Sequence, residues 1–398
     1  MKITSHRKIL VLTVGAFAIF FTGYPHIWSI YQPYAIALTG WSQGQASMCF
    51  YLTFVTFVLG NIVGGRIQDR HGPRWVIVTG GGIFTASIFL SSVALRPSPW
   101  MMYATFGLMQ GFGQGMIYTT IISTAQKWFP EKTGFASGVI VTANGLFGFI
   151  MSPFSKMLLE GPGIHATFLV IGCMIAVSWI LSSLIICNPE TTSIQKAETV
   201  WAGKQYTASE MVKTRKFYLL VATMLFGLIP YLLLSPVSQT VQLERGVPAG
   251  IAVSSVMLGS VCNGAARLFL PTIADRLGRI PCLKVVLVVA VVAMLLLVAA
   301  PVSVTTLCVV LMYTCYGGIM GSFPSLSSSL FGMKYSGENY GYVMTGIVAA
   351  TLSAPVITSF ILGLGFDRNA VFAFGAGCAA MALLCLRLLE KELQSERR

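Results

Sequence analysis

Apolar residues in this chain fall in long runs, without the two- or three-residue alternation of a half-buried soluble element. Several runs reach about 20 residues, the length at which a helix crosses a hydrocarbon core of roughly 30 Å. Taken in order, they predict spans at 9–30, 45–65, 75–95, 100–125, 135–157 and 165–187. A second set follows at 216–238, 250–272, 283–301, 304–330, 340–362 and 369–388. Strand-like alternation is absent, which argues against a membrane barrel. The pattern therefore predicts an all-α membrane protein of twelve transmembrane helices in two pseudo-symmetric six-helix bundles. Their expected bounds are 1–187 and 215–398, joined by a polar cytosolic linker at 188–214. Within that linker Thr207-Ala-Ser-Glu210 has the spacing of a capping box, which predicts a short helix ahead of span 7. The linker otherwise reads as a spacer that fixes the distance between the halves.

Charge sharpens this topology. Charged residues make up only 10% of the chain, yet the net charge is +13. On a soluble protein that excess would point to nucleic acid, but here the cations follow the membrane. With both termini cytosolic, 21 of the 26 Lys and Arg residues lie on the cytosolic side. Only Arg96, Lys156, Arg245 and Arg368 fall outside, and Arg267 is the one remaining. The expectation is a multi-pass protein of the cell membrane, with the bilayer as partner, no nucleic acid, and a monomer as working state. The cationic start followed by an apolar run could mimic a signal peptide. That run is longer than a signal peptide's apolar region and lacks a small-residue cleavage site, so it reads as a retained first helix. Nine scattered cysteines show no metal-ligand spacing and read as packing residues, so neither metal nor cofactor is expected. No Ser/His/Asp set, His/Glu cluster or phosphate loop is apparent, and no enzyme is expected.

The strongest motif lies between spans 2 and 3: Gly65-Arg-Ile-Gln-Asp69-Arg70-His-Gly72-Pro-Arg74. It returns 206 residues later as Asp275-Arg276-Leu-Gly278-Arg279. The same loop at equivalent places in two six-helix sets implies duplicated halves, the usual basis of alternating access. An acid at a helix end can bond cations and helix termini, and glycine permits the tight turn, so both copies read as cytosolic gate elements. GxxxDRxGxR in this loop resembles the signature of the major facilitator superfamily, whose fold is the one predicted above. The second copy departs from it, because Pro271 stands where the leading glycine would be.

Other segments resemble the oxalate:formate antiporter family within that superfamily. They are Tyr24-Pro-His26-Ile-Trp28-Ser-Ile-Tyr31 with Gly40-Trp41-Ser42, and Gly111-Phe-Gly-Gln-Gly115 with Lys127-Trp-Phe-Pro130 and Gly134-Phe-Ala-Ser-Gly138. A third is Phe331-Gly-Met-Lys334 with Gly337-Glu-Asn339-Tyr340-Gly341. Animal-type monocarboxylate transporters carry something similar in the 4–5 loop.

Helical spacing selects candidates for a substrate path. Tyr24, Trp28 and Tyr31 share one face of span 1, and Gln110, Gln114 and Tyr118 one face of span 4. Beside the latter, Gly107, Gly111 and Gly115 form a stripe suited to close helix packing. Tyr313 and Tyr316 pair on span 10. The aromatic residues have an alternative use as an interfacial belt. Asn144 could line a cavity or bond across helices, and His26 has a side chain able to titrate near neutrality.

Arg267 stands apart from these. A cation at mid-bilayer depth costs at least about 2.5–3.5 kcal/mol. Eight residues separate it from Asp275, placing it about 12 Å along the helix from the gate. Asn263 lies one turn earlier, and none of the thirteen Asp and Glu residues falls inside the predicted spans. A ligand carboxylate is then the natural partner, since a guanidinium can grip one through two parallel bonds. In the oxalate:formate antiporter family a helix-8 arginine at this position is thought to hold a substrate carboxylate. The dicarboxylate-handling member adds a helix-11 lysine, which residues 340–355 here lack. The reading is thus a secondary transporter for small monocarboxylates such as formate, lactate or pyruvate, with an oxalate/formate-type dicarboxylate exchanger as the alternative. A cation or drug exporter would want intramembrane acids. From another class, a membrane nutrient sensor would be expected to carry a long cytosolic tail, and residues 389–398 are short and charged.

Overall fold

The computed structural model describes residues 2–189, 204–299 and 302–397. Part of the predicted linker and the His26 side chain lie outside the described residues. Sixteen helices carry the labels used below. They are α1 (Lys2–Phe21), α2 (Trp28–Thr39), α3 (Gln43–His71), α4 (Pro73–Ala94), α5 (Gly111–Trp128), α6 (Thr133–Glu160), α7 (Ile164–Ile185) and α8 (Ala208–Met211). The rest are α9 (Arg215–Leu234), α10 (Ser238–Glu244), α11 (Ala249–Leu277), α12 (Arg279–Ala299), α13 (Val302–Phe331), α14 (Ser336–Val343), α15 (Thr345–Gly363) and α16 (Arg368–Arg397). The short helix expected near Thr207 is α8.

Among the described residues, ten helical stretches are long and apolar enough to cross a membrane. Their outward faces carry large apolar side chains such as Phe149, Val285, Val356 and Phe360, each more than 60% exposed. An apolar exterior of this kind suits lipid. The first and fourth predicted spans fall outside those ten, and each has a local cause. α1 runs only to Phe21, where it breaks. Pro25 brings no N–H to continue the ladder, so a 3-10 turn at Tyr24–Ile27 intervenes before α2 carries the helix on to Thr39. The predicted end at residue 30 is therefore short by most of α2. The fourth span changes winding instead: a π-helix at Tyr103–Gln110 precedes α5.

Two compact units emerge, and each is described on its own terms. Unit 1 contains residues 1–208 together with 331–342, and unit 2 contains 209–330 with 343–398. Segment 331–342, predicted to lie with the C-terminal bundle, is thus part of unit 1. In unit 1 the Gly107, Gly111 and Gly115 stripe lies against α3. A Cβ on Gly111 or Gly115 would overlap the carbonyl oxygens of Thr53 and Phe57. The N-terminus of α3 is closed by a capping box, in which Ser42 Oγ accepts from Gln45 N (3.2 Å) and Gln45 Oε1 from Ser42 N (2.9 Å). In unit 2, α16 continues beyond residue 388 to Arg397. Its Glu390 pairs with Lys284 of α12, and its Glu392 and Glu396 with Arg215 and Lys216 of α9.

Candidate functional site

Arg267 is 4% exposed and belongs to unit 2. One turn back on the same face of α11, Asn263 accepts a hydrogen bond from Arg267 Nε at 3.0 Å. The guanidinium carbon lies 5.6 Å from the centre of the Tyr316 ring, at cation–π range. Both partners are uncharged: the amide fixes the azimuth of the side chain, and the ring offers its electron-rich face. Close helix packing makes this possible. Gly317 and Gly321 on α13 face the backbone of Asn263 and Arg267, and a Cβ on Gly321 would lie 2.5 Å from the Arg267 carbonyl oxygen. Pro271 adds no N–H for that carbonyl. Gly321→Ala should therefore force α11 and α13 apart. We expect a loss of about 1–3 kcal/mol of stability, read as a lower thermal midpoint of the detergent-solubilised protein.

Tyr316 belongs to a three-tyrosine cluster. Tyr231 of α9 stacks on it with centroids 4.0 Å apart and planes at 22°. Tyr313 meets Tyr231 edge-on at 5.0 Å. The Tyr313 hydroxyl lies 3.3 Å from Ser238 Oγ of α10. Ser238 O accepts from Gln242 Nε2 (3.0 Å), and Gln242 Oε1 accepts from Ser255 Oγ (2.8 Å). A buried polar chain thus runs from Ser255 to the tyrosines beside Arg267.

The candidates on spans 1, 4 and 5 lie in unit 1. Tyr24, Trp28 and Tyr31 are all at most 2% exposed, so none is a belt residue in this structure. Trp28 Nε1 donates to Ala46 O (2.9 Å), and Tyr31 Oη to Ser155 Oγ (3.2 Å). Their rings gather around Phe106 and Phe168. The amides serve the break in the first span. Gln114 Nε2 donates to the Thr22 carbonyl, and Asn144 Nδ2 to Thr22 Oγ1 (3.0 Å), so Asn144 bonds across helices. Gln110 Nε2 in turn donates to Gln114 Oε1 at 2.7 Å. Where no water reaches, a broken helix needs such side-chain donors. Tyr118 is buried against Phe57, with ring centroids 5.2 Å apart.

The gate motif is also resolved in unit 1. Gly72 ends α3 at φ 85°, and Gly278 ends α11 at φ 96°, a backbone region that favours glycine at both equivalent turns. Asp69 Oδ1 receives Lys127 Nζ at 2.9 Å, while its Oδ2 receives the backbone N–H of Glu338 at 2.9 Å. That N–H lies in the first turn of α14, where an anion also meets the positive end of the helix dipole. Gly65 lets the backbone of Gly337 come so near that a Cβ would overlap it. Ser123 Oγ and Ser336 Oγ lie 2.7 Å apart, and Arg66 Nε is 3.7 Å from Glu338 Oε1. Arg70, Arg74 and Arg276 are exposed. In the second copy Asp275 Oδ1 pairs with Arg279 Nη2 at 3.1 Å, one turn along. With Pro271 in place of the glycine, its two copies are not equivalent in packing.

Three partners were missed by sequence reasoning. Tyr231 carries the same mid-span aromatic hydroxyl that singled out Tyr313 and Tyr316. Lys127 lies within a quoted motif but shows its role only once Asp69 is beside it. The end of the linker is the third: Tyr206 N donates to Phe331 O (2.9 Å), Asn339 Nδ2 to Tyr206 O (2.9 Å) and Lys334 N to Gln205 Oε1 (3.1 Å). This stretch straps segment 331–342 in place, a task beyond that of a spacer.

Residues 9–355 match the Major Facilitator Superfamily. The oxalate:formate antiporter of Oxalobacter formigenes is 27% identical over 363 residues, covering 89% of this chain and 85% of the relative. Mus musculus monocarboxylate transporter 9 is 24% identical over 176 residues, or 44% of this chain and 33% of that one. Among solved structures, a bacterial homologue of the iron transporter ferroportin, in an outward-facing state, is similar in fold with a TM-score of 0.71. It is 16% identical and is matched over 97% of this chain and 99% of its own.

Proposed function

Since the chain belongs to the Major Facilitator Superfamily, a family of membrane carriers and not of enzymes, we propose that it moves small organic monocarboxylates by alternating access, with Arg267 anchoring the substrate carboxylate. The observation that carries this reading is the buried guanidinium set between an amide and the face of a tyrosine. Such a planar fork recognises a carboxylate through two parallel charge-assisted bonds. Support comes from relatives named for formate, oxalate and monocarboxylates. The missing helix-11 lysine favours one carboxylate over two. The architecture we propose is twelve spans in two six-helix bundles, 1–187 and 215–398, about the linker 188–214. Both termini are cytosolic, in the cell membrane, as the distribution of Lys and Arg supports. In this scheme the two copies of the gate motif act on the cytosolic side.

Purified protein in proteoliposomes should take up labelled formate, lactate or pyruvate in preference to oxalate and to a neutral sugar. Acceleration by the same anion on the far side would identify exchange, and a response to a pH gradient alone would identify symport. Preference for oxalate would replace the monocarboxylate reading with dicarboxylate exchange. Failure to move any carboxylate would refute the proposal.

A further inference from the structure

The tyrosine cluster beside Arg267 has a layered order. Arg267 meets the ring of Tyr316, Tyr316 is backed by Tyr231, and Tyr231 is braced by Tyr313. Tyr316 and Tyr313 are 8% and 7% exposed, whereas Tyr231 is partly exposed. The 4.0 Å stack sets the plane of the Tyr316 ring that Arg267 meets. Tyr313 is in turn held through its hydroxyl to Ser238. Tyr231 is the middle member of this stack, and its neighbour Pro230 within α9 limits how the local backbone can adjust.

We propose that Tyr231 is a specificity-determining positioning residue. By holding Tyr316 against Arg267, its ring confines the anchored anion to small carboxylates. The inference rests on the reading of Arg267 as the carboxylate anchor and adds a size limit to it. Removing the ring would release Tyr316 and open the volume of a phenol group near the guanidinium. Small anions would then be held less well, and bulkier ones admitted. The proposal assigns this role to the ring, while the hydroxyl is engaged with Ser235, so a phenylalanine should keep most of it.

The test is uptake of formate, pyruvate and benzoate by Tyr231→Phe, Tyr231→Ala, Tyr231→Trp and Arg267→Gln in proteoliposomes, with reconstituted amounts and thermal midpoints matched. Tyr231→Phe should keep KM for formate within about twofold of the parent. Tyr231→Ala should raise it about tenfold, the scale of one ring–ring or ring–cation contact, with the maximum rate little changed. Its preference should shift from formate toward benzoate. If Tyr231→Ala does not fold, Tyr231→Trp still decides, since a larger ring should disfavour pyruvate more than formate. Parental selectivity in both Tyr231→Ala and Tyr231→Trp would overturn the proposal, as would equal losses in Tyr231→Phe and Tyr231→Ala. Arg267→Gln separates the two levels. If it transports as the parent does, the anchor reading fails; if it is inactive while Tyr231 variants keep parental selectivity, only the Tyr231 proposal fails.

Discussion

Arg267→Gln should remove carboxylate uptake while the protein still reaches the membrane in normal amount. Glutamine keeps a polar group able to meet Asn263 and the neighbouring backbone, so the packing of α11 on α13 through Gly317 and Gly321 is preserved. What it loses is the permanent charge and the fork geometry. Truncating one partner of a buried charge pair costs about 2–5 kcal/mol, roughly a 30-fold to several-thousand-fold loss in affinity. Arg267→Lys should fall between the two, because a point charge retains attraction without bidentate geometry. Uptake kinetics with each variant, normalised to the amount in the membrane, give the measurement. Parental KM for every carboxylate in Arg267→Gln would remove Arg267 from the site.

The second large effect is expected at the gate, and on stability. Asp69 is nearly inaccessible, and its partner Lys127 has a side chain only 10% exposed. Asp69→Ala leaves that ammonium buried and also strips the acceptor from the first turn of α14. Removing one member of a buried pair costs about 3–5 kcal/mol. Combining Asp69→Ala with Lys127→Met should recover much of that loss, since no uncompensated charge then remains. The double variant should still transport poorly, because the Glu338 N–H has lost its carboxylate. Thermal midpoints and uptake of the two single variants and the double variant separate the contributions. If Asp69→Ala is as stable as the parent, the pair is not the brace described.

What the sequence made legible follows the range of the interactions. Helices, their approximate bounds, the glycine turns at Gly72 and Gly278 and the Asn263–Arg267 spacing depend on residues within one or two turns of each other. The break at Gly23 and Pro25 was written in local punctuation too, yet the apolar run ran straight through it and gave a first span ending near residue 30. Spacing put the span 4 amides on a substrate path and left Asn144 open between a cavity and a cross-helix bond, because the Thr22 groups that Gln114 and Asn144 satisfy exist only once that break has formed. Tyr231 reaches Arg267 through rings on another helix, and Lys127 reaches Asp69 across the α3–α5 contact. No periodicity within a single helix carries that information. The docking of segment 331–342 onto α3 is less local still, since an apparent loop of the second half completes the packing of the first.

That docking bears on how the chain is made. The last stretch of unit 1 leaves the ribosome about 120 residues after the rest of it, a delay of roughly 6–25 s at 5–20 residues per second. During this interval the C-terminal end of α3 presents Gly65 and Asp69 with nothing from 331–342 to cover them, and Gln205 and Tyr206 wait for the stretch of chain they will hold. An N-terminal half released at the linker would stay in that unfinished state. Co-expressed halves should therefore recover function only when the C-terminal piece brings residues 331–342 with it.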